Sequence, residues 1–132
     1  MIVLDAPAAV AVFLNIRPEA GRIRQRIVQR DETLHVPHLF DVEVLHVLCH
    51  HSLSGQLSDS RGSLALSRFS SMRLTRYPHA SFVSRIWELR HTLTAYDAAY
   101  VALAETLDAP LLTTDRRLAQ APGIRAEVEL YR

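Results

Sequence analysis

Short apolar runs alternate with helix-period segments along the whole chain, and this alternation most limits the folds open to it. Met1–Leu4, Thr33–Val36, Leu74–Tyr77, Pro110–Thr113 and Glu127–Tyr131 read as strands. Between them lie the helical stretches Ala8–Asn15, opened by Pro7, and Pro18–Arg30, with Ala20, Ile23 and Ile27 at helical spacing. His38–Leu53 follows, then Ser58–Met72 after a break at Gly55, then Ala80–Arg90, Thr94–Leu107 and a short helix at Arg116–Ala119. Strands alternating with helices build a mostly parallel sheet covered on both faces, an α/β fold of three layers, α/β/α. With 132 residues and no repeat, low-complexity tract or linker, the chain reads as one domain spanning residues 1–132.

The charges remove whole classes of chemistry. All fifteen basic residues are arginine. Without lysine there is no P-loop phosphate site, no Schiff base and no lysine-assisted aspartyl phosphate. The formal net charge is +1, so attraction to a nucleic acid has to come from a local patch. The single cysteine, Cys49, rules out an internal disulfide and a cysteine-based zinc site, and its apolar helical surroundings predict a core position. No stretch approaches the roughly 20 apolar residues needed to span a bilayer, so the expectation is a soluble, cytoplasmic protein with no membrane partner.

In parallel sheets, sites form outside the carboxyl ends of the strands. Asp5 ends the first strand, Asp115 follows Thr113, and Glu43 lies in the early turns of the helix after the second strand. The Thr94–Leu107 helix runs back across the sheet for about 20 Å, and the following strand recovers most of that distance. Asp97, at the helix start, therefore returns to the edge that carries Asp115. Glu105 and Asp108 fall at the far end of that crossover, and Asp41 points away from Glu43 by about 200°. Asp31, Glu32, Asp59, Glu127 and Glu129 lie in polar or terminal stretches and read as solvated.

Each of the four acids also has a plain structural reading. Asp5 and Asp115 cap the helices after them, Asp97 belongs to a capping box opened by Thr94, and Glu43 is amphipathic surface. Capping and metal binding are compatible, because helix N-termini face the same edge. Four bunched carboxylates repel one another, and a hard divalent cation with oxygen ligands, magnesium or manganese, offsets that repulsion. Such an ion also activates water and stabilises charge on a transferring phosphoryl group.

The chain resembles the PIN-domain family, and within it the VapC toxins of bacterial toxin–antitoxin pairs, particularly actinobacterial ones. The resemblance lies in Met1–Ala6, in Pro37–Leu48 around Glu43, in Leu93–Glu105 and in Pro110–Leu118, and it spans essentially the whole chain. It implies a PIN-like fold and a metal-dependent endoribonuclease using Mg2+ or Mn2+, with transfer or ribosomal RNA as substrate. It also implies a homodimer and inhibition by a cognate VapB antitoxin. Asp5, Glu43, Asp97 and Asp115 match the family's acidic metal-binding residues, and Thr113 matches its supporting hydroxyl two positions before the last acid. Two positions depart from the pattern. Pro7 stands where a small hydroxyl residue is common, and His46 stands where asparagine is frequent.

The mechanism expected from these residues is direct hydrolysis, with water attacking phosphorus in line and leaving 5′-phosphate and 3′-hydroxyl ends. Arg116, Arg117 and Arg90 are the candidate RNA contacts, with Arg73, Arg76 and Arg85 as further groove residues. Tyr100, one turn from Asp97, is a candidate base contact, whereas Trp87 reads as core. Two rival readings are a metal-free nuclease using His46 and His50, which would leave cyclic phosphate ends, and a non-catalytic PIN-like module that binds RNA or protein.

Overall fold

Ile2, Val3 and Leu4 are completely buried, as an unbroken apolar run must be when helices cover both faces of its sheet. In the computed structural model, which describes residues 1–132, they form β1 (Ile2–Leu4) of an all-parallel sheet. The other strands are β2 (Leu34–Pro37), β3 (Leu74–Tyr77), β4 (Leu111–Thr113) and β5 (Val128–Leu130), in the order β3-β2-β1-β4-β5. All five expected strands form, with no end displaced by more than one residue.

Seven helices connect them: α1 (Ala6–Phe13), α2 (Glu19–Gln29), α3 (Phe40–Leu53), α4 (Asp59–Ser71), α5 (Val83–Glu88), α6 (Ala95–Leu107) and α7 (Arg116–Gln120). The chain steps one way across the sheet from β1 to β3, then back through β4 to β5. Right-handed crossovers therefore place α1–α4 on one face and α5–α7 on the other. The packing follows this division: α1 lies against α2, α3 and α4, while α5 lies against α6. The two central helices carry unbroken apolar runs, as segments enclosed by their layer must. In α1 every residue except Pro7 is buried, and in α6 the whole run Ala98–Ala104 is buried.

Several expectations are corrected by long-range pairing. Glu32 and Glu129 are not solvated: their side chains are only 10% and 20% exposed. Arg26 of α2 donates two hydrogen bonds of 3.0 Å to Glu129 in β5 and one of 2.6 Å to Glu32. Arg76 and Arg85 are likewise occupied. Arg76 holds Asp41 bidentately at 2.7 and 2.8 Å. Arg85 joins α5 to α6 through Glu105 at 2.8 and 2.9 Å and also donates to the Gly123 carbonyl. These two arginines hold the fold's own carboxylates and are not free groove residues.

Two apolar assignments also change. Cys49 is exposed, because α3 buries the face carrying Val44 and Leu48 and turns Val42, Leu45 and Cys49 outward. Trp87 is 66% exposed, with the Arg90 guanidinium 4.4 Å above its ring. The Ala80–Arg90 stretch breaks into a 3-10 turn at Ala80–Phe82 and the short α5, which buries none of its own residues. The stretch turns Phe82, Ile86 and Leu89 toward the core, which leaves Val83 and Trp87 on the outer face.

Candidate active site

The site forms where the strand order reverses. Consecutive connections leave β1 and β4 in opposite directions, and a crevice opens at their carboxyl ends. The pairing of Val3 with Leu111 and Leu4 with Leu112 sets Asp5 beside Thr113. Asp115 follows two residues later. On the same edge lie Asp97, in the first turn of α6, and Glu43, in the first turn of α3.

Each acid is held by local structure. Asp5 is buried and caps α1, its Oδ1 accepting from the Ala8 N–H at 2.8 Å. Asp115 caps α7 by accepting from the Arg117 N–H at 2.8 Å, and its own N–H donates to the buried Thr113 hydroxyl at 2.9 Å. Thr94 caps α6, its hydroxyl accepting from the Asp97 N–H at 3.2 Å, which leaves the Asp97 carboxylate free to face the crevice. Glu43 accepts a 2.7 Å hydrogen bond from the Tyr100 hydroxyl.

The electrostatics show that these groups feel one another. Burial pushes the Asp5 carboxyl up to about 7. The Thr113 hydroxyl and the Ala8 N–H oppose that rise, and the charges of Asp97 and Glu43 add to it. The Thr113 hydroxyl is close enough to act on Asp5 but falls outside hydrogen-bond geometry, so the buried Oδ2 has no partner. Glu43 is raised by burial and by Asp97, against the pull of the Tyr100 hydroxyl. Asp97 is raised by burial and by Asp115, with the Thr94 hydroxyl and Arg117 acting the other way.

This donor set fits a hard cation. It offers carboxylate oxygens, one of them buried and unpartnered, at a place where negative charge is disfavoured. The four acids share an edge, but no three of them form a closed cage. A magnesium ion keeps several waters and needs only one or two carboxylates, so it does not require a closed cage. Asp5, Glu43, Asp97 and Asp115 are the residues that would hold the ion.

Two cavities flank the acids and share Asp97 and Thr94. The larger, about 480 Å3, includes Glu43, His46 and Tyr96. The smaller, about 150 Å3, includes Asp115 and Arg117. Arg117 is exposed, with its Nη2 3.7 Å from Asp115, and Arg116 and Arg90 are exposed as well. Tyr100 is corrected from base contact to internal support: it is completely buried and its hydroxyl is spent on Glu43. The signal was present in the sequence, since Tyr100 lies inside the unbroken apolar run of α6. His46 and His50 are exposed on α3 and complete no three-ligand cluster.

Tyr100→Phe keeps the ring and removes the hydrogen bond. The expected result is a roughly tenfold loss of Mn2+ affinity, the usual scale when an outer partner of a ligating carboxylate is lost. The melting temperature should move by only a few degrees. Titration followed by electron paramagnetic resonance checks it, and unchanged affinity would mean that Glu43 needs no orientation.

An all-parallel α/β sheet with acids gathered at its switch point defines a class of proteins that work at a carboxylate-lined edge. Residues 2–124 match the PIN domain family. The chain is 44% identical to ribonuclease VapC12 of Mycobacterium tuberculosis, over 98% of each chain. It is 41% identical to ribonuclease VapC1 of the same organism, over 98% of this chain and 97% of that one. Among solved structures, VapBC2 from Rickettsia felis, bound to a DNA fragment from their promoter, superposes with a TM-score of 0.71 at 17% identity, covering 100% of both chains. The chain belongs to the PIN-domain family and, within it, groups with the VapC ribonucleases. No helix is long and apolar enough to cross a membrane.

Proposed function

We propose that this protein is a metal-dependent endoribonuclease, the toxin of a VapBC-type pair, with Asp5, Glu43, Asp97 and Asp115 as its catalytic acids. The observation that supports the reading best is the gathering of Asp5, Glu43, Asp97 and Asp115, from four separate elements, on the edge at the β1/β4 switch point. The ribonuclease names of the relatives agree with it.

Bound Mg2+ or Mn2+ would lower the pKa of water at the edge and neutralise charge on the phosphoryl group. The chain's own residues do the rest. Asp97, shared by both cavities, lies where a strand of RNA running along the edge presents a phosphodiester. Arg117 on the far side suits the neighbouring phosphate, with Arg116 beside it. Asp5, anchored by the Ala8 N–H, cannot swing away from the crevice. Thr113 bonds the backbone of Asp115 and stands beside Asp5, so one buried hydroxyl sets the spacing of two acids. The toxin reading implies a VapB-type antitoxin as partner, and a homodimer as the assembly.

The test is cleavage of RNA by the purified chain. The expected products carry 5′-phosphate and 3′-hydroxyl ends, formation stops with a chelator, and added Mg2+ or Mn2+ restores it. Chelator-resistant cleavage that leaves cyclic phosphates would overturn the reading in favour of a metal-free route.

A further inference from the structure

We propose that the larger cavity beside the acids is a base pocket, which receives one unpaired nucleobase flanking the scissile phosphate and stacks it on Tyr96. This rests on the ribonuclease reading and adds the part of the substrate that the site grips.

The argument begins with the position of Tyr96. It is adjacent to Asp97 and one helical turn before Tyr100. Residues at i and i+4 share a face, yet Tyr100 is fully buried and Tyr96 is 64% exposed. The difference is the edge of the sheet: α6 begins there, and its side chains lean toward the N-terminus. Tyr96 therefore overhangs the crevice with its ring in solvent. The opposite wall is α3 and the residue before it, which contribute the apolar Leu39 and Val42 and the imidazole of His46. Val42 is itself mostly exposed.

The chemistry of this wall set is that of a base and not of a phosphate. Leu39, Val42 and Tyr96 offer apolar and aromatic surface, and no arginine lines the cavity. The polar groups are few: Glu43 and Asp97 on the acid side, Thr94 at the helix cap, and His46, which can donate or accept at a base edge. A volume of about 480 Å3 is within the range of small-ligand sites, roughly 300–1,000 Å3. The second cavity has the opposite character, with Arg117 beside Asp115. Because Asp97 belongs to both, an RNA strand crossing it places a base on one side and a neighbouring phosphate on the other.

The experiment measures kcat/KM of the full chain on an RNA it cleaves, for the wild type, Tyr96→Ala and Tyr96→Phe. Tyr96→Ala is expected to lower kcat/KM about tenfold or more, the scale of one lost stacking contact, and Tyr96→Phe to stay within about twofold of wild type. An abasic residue at the flanking nucleotide should cost the wild type a similar factor and Tyr96→Ala little more. Losses that multiply instead of overlapping would overturn the pocket. So would a Tyr96→Ala protein that dissociates from a dimer to a monomer while wild type cleaves the abasic RNA normally, since the cavity would then be an interface between copies. A 2-aminopurine at the same nucleotide gives a readout free of turnover. Its fluorescence should be quenched on binding to wild type and to Tyr96→Phe but not to Tyr96→Ala. Quenching by a chain that cleaves nothing would sink the nuclease reading and leave the pocket standing. Cleavage without quenching would do the reverse.

Discussion

Asp97→Asn is expected to lower RNA cleavage about a thousandfold while leaving the chain folded. The size follows from removing one charged oxygen from a site that works by electrostatic stabilisation, where a single lost group costs roughly 10²–10³ in rate. The fold is spared for a structural reason. The α6 cap uses the backbone N–H of Asp97 and the hydroxyl of Thr94, and neither depends on the carboxylate. Asparagine has the same shape, and the substitution also relieves repulsion from Asp115. Rate constants measured side by side with matched circular dichroism spectra check this. Equal rates in the two proteins would mean that the cleavage belongs to a contaminant or to a different site.

The second large effect is on stability. The Asp5 carboxyl is held near 7 in the folded chain, against an ordinary value of 3.8. The folded state therefore binds this proton more tightly than the unfolded state. The stabilisation is fully present below about pH 4 and is lost as pH rises through about 7, a swing on the order of 4 kcal/mol from this group alone. Glu43 and Asp97 are raised as well, so they act in the same direction. Without added cations, the melting temperature should fall between pH 5 and pH 8, and Mn2+ or Mg2+ at pH 8 should recover much of the loss by binding only the folded chain.

Asp5→Asn separates this cause from others. The amide oxygen can still accept from the Ala8 N–H, so the α1 cap survives while the buried charge disappears. In the absence of a divalent ion, the variant should melt roughly 10 °C above wild type at pH 8, and a cation should stabilise it far less. Catalysis is sacrificed in exchange, as expected where a functional site carries strain. A variant that melts below wild type at pH 8 and still responds fully to Mn2+ would show that Asp5 holds no cation.

How much of this was legible beforehand differs by element. The strand Ile2–Leu4 and the helix Ala95–Leu107 were readable because an element enclosed on both sides needs a continuous apolar run, which is a local property of the chain. The order of elements, together with the handedness of crossovers, was enough to bring Asp5, Glu43, Asp97 and Asp115 to one edge without any side-chain geometry. Short elements were less legible. Trp87 and Cys49 carry apolar patterns, but each lies on a second apolar face, turned away from the one that meets the core.

The amino-acid order thus settled the fold class and the edge on which the acids gather, because periodicity and chirality act over neighbouring residues. It left open which polar groups are spent within the molecule. Arg26 meets Glu129 across 103 positions, Arg85 meets Glu105 across 20, and Tyr100 meets Glu43 across 57. Such pairings depend on how helices lie on the sheet, and no local pattern encodes that. The packed chain alone set the Tyr100 hydroxyl against Glu43 and left Tyr96 overhanging the crevice.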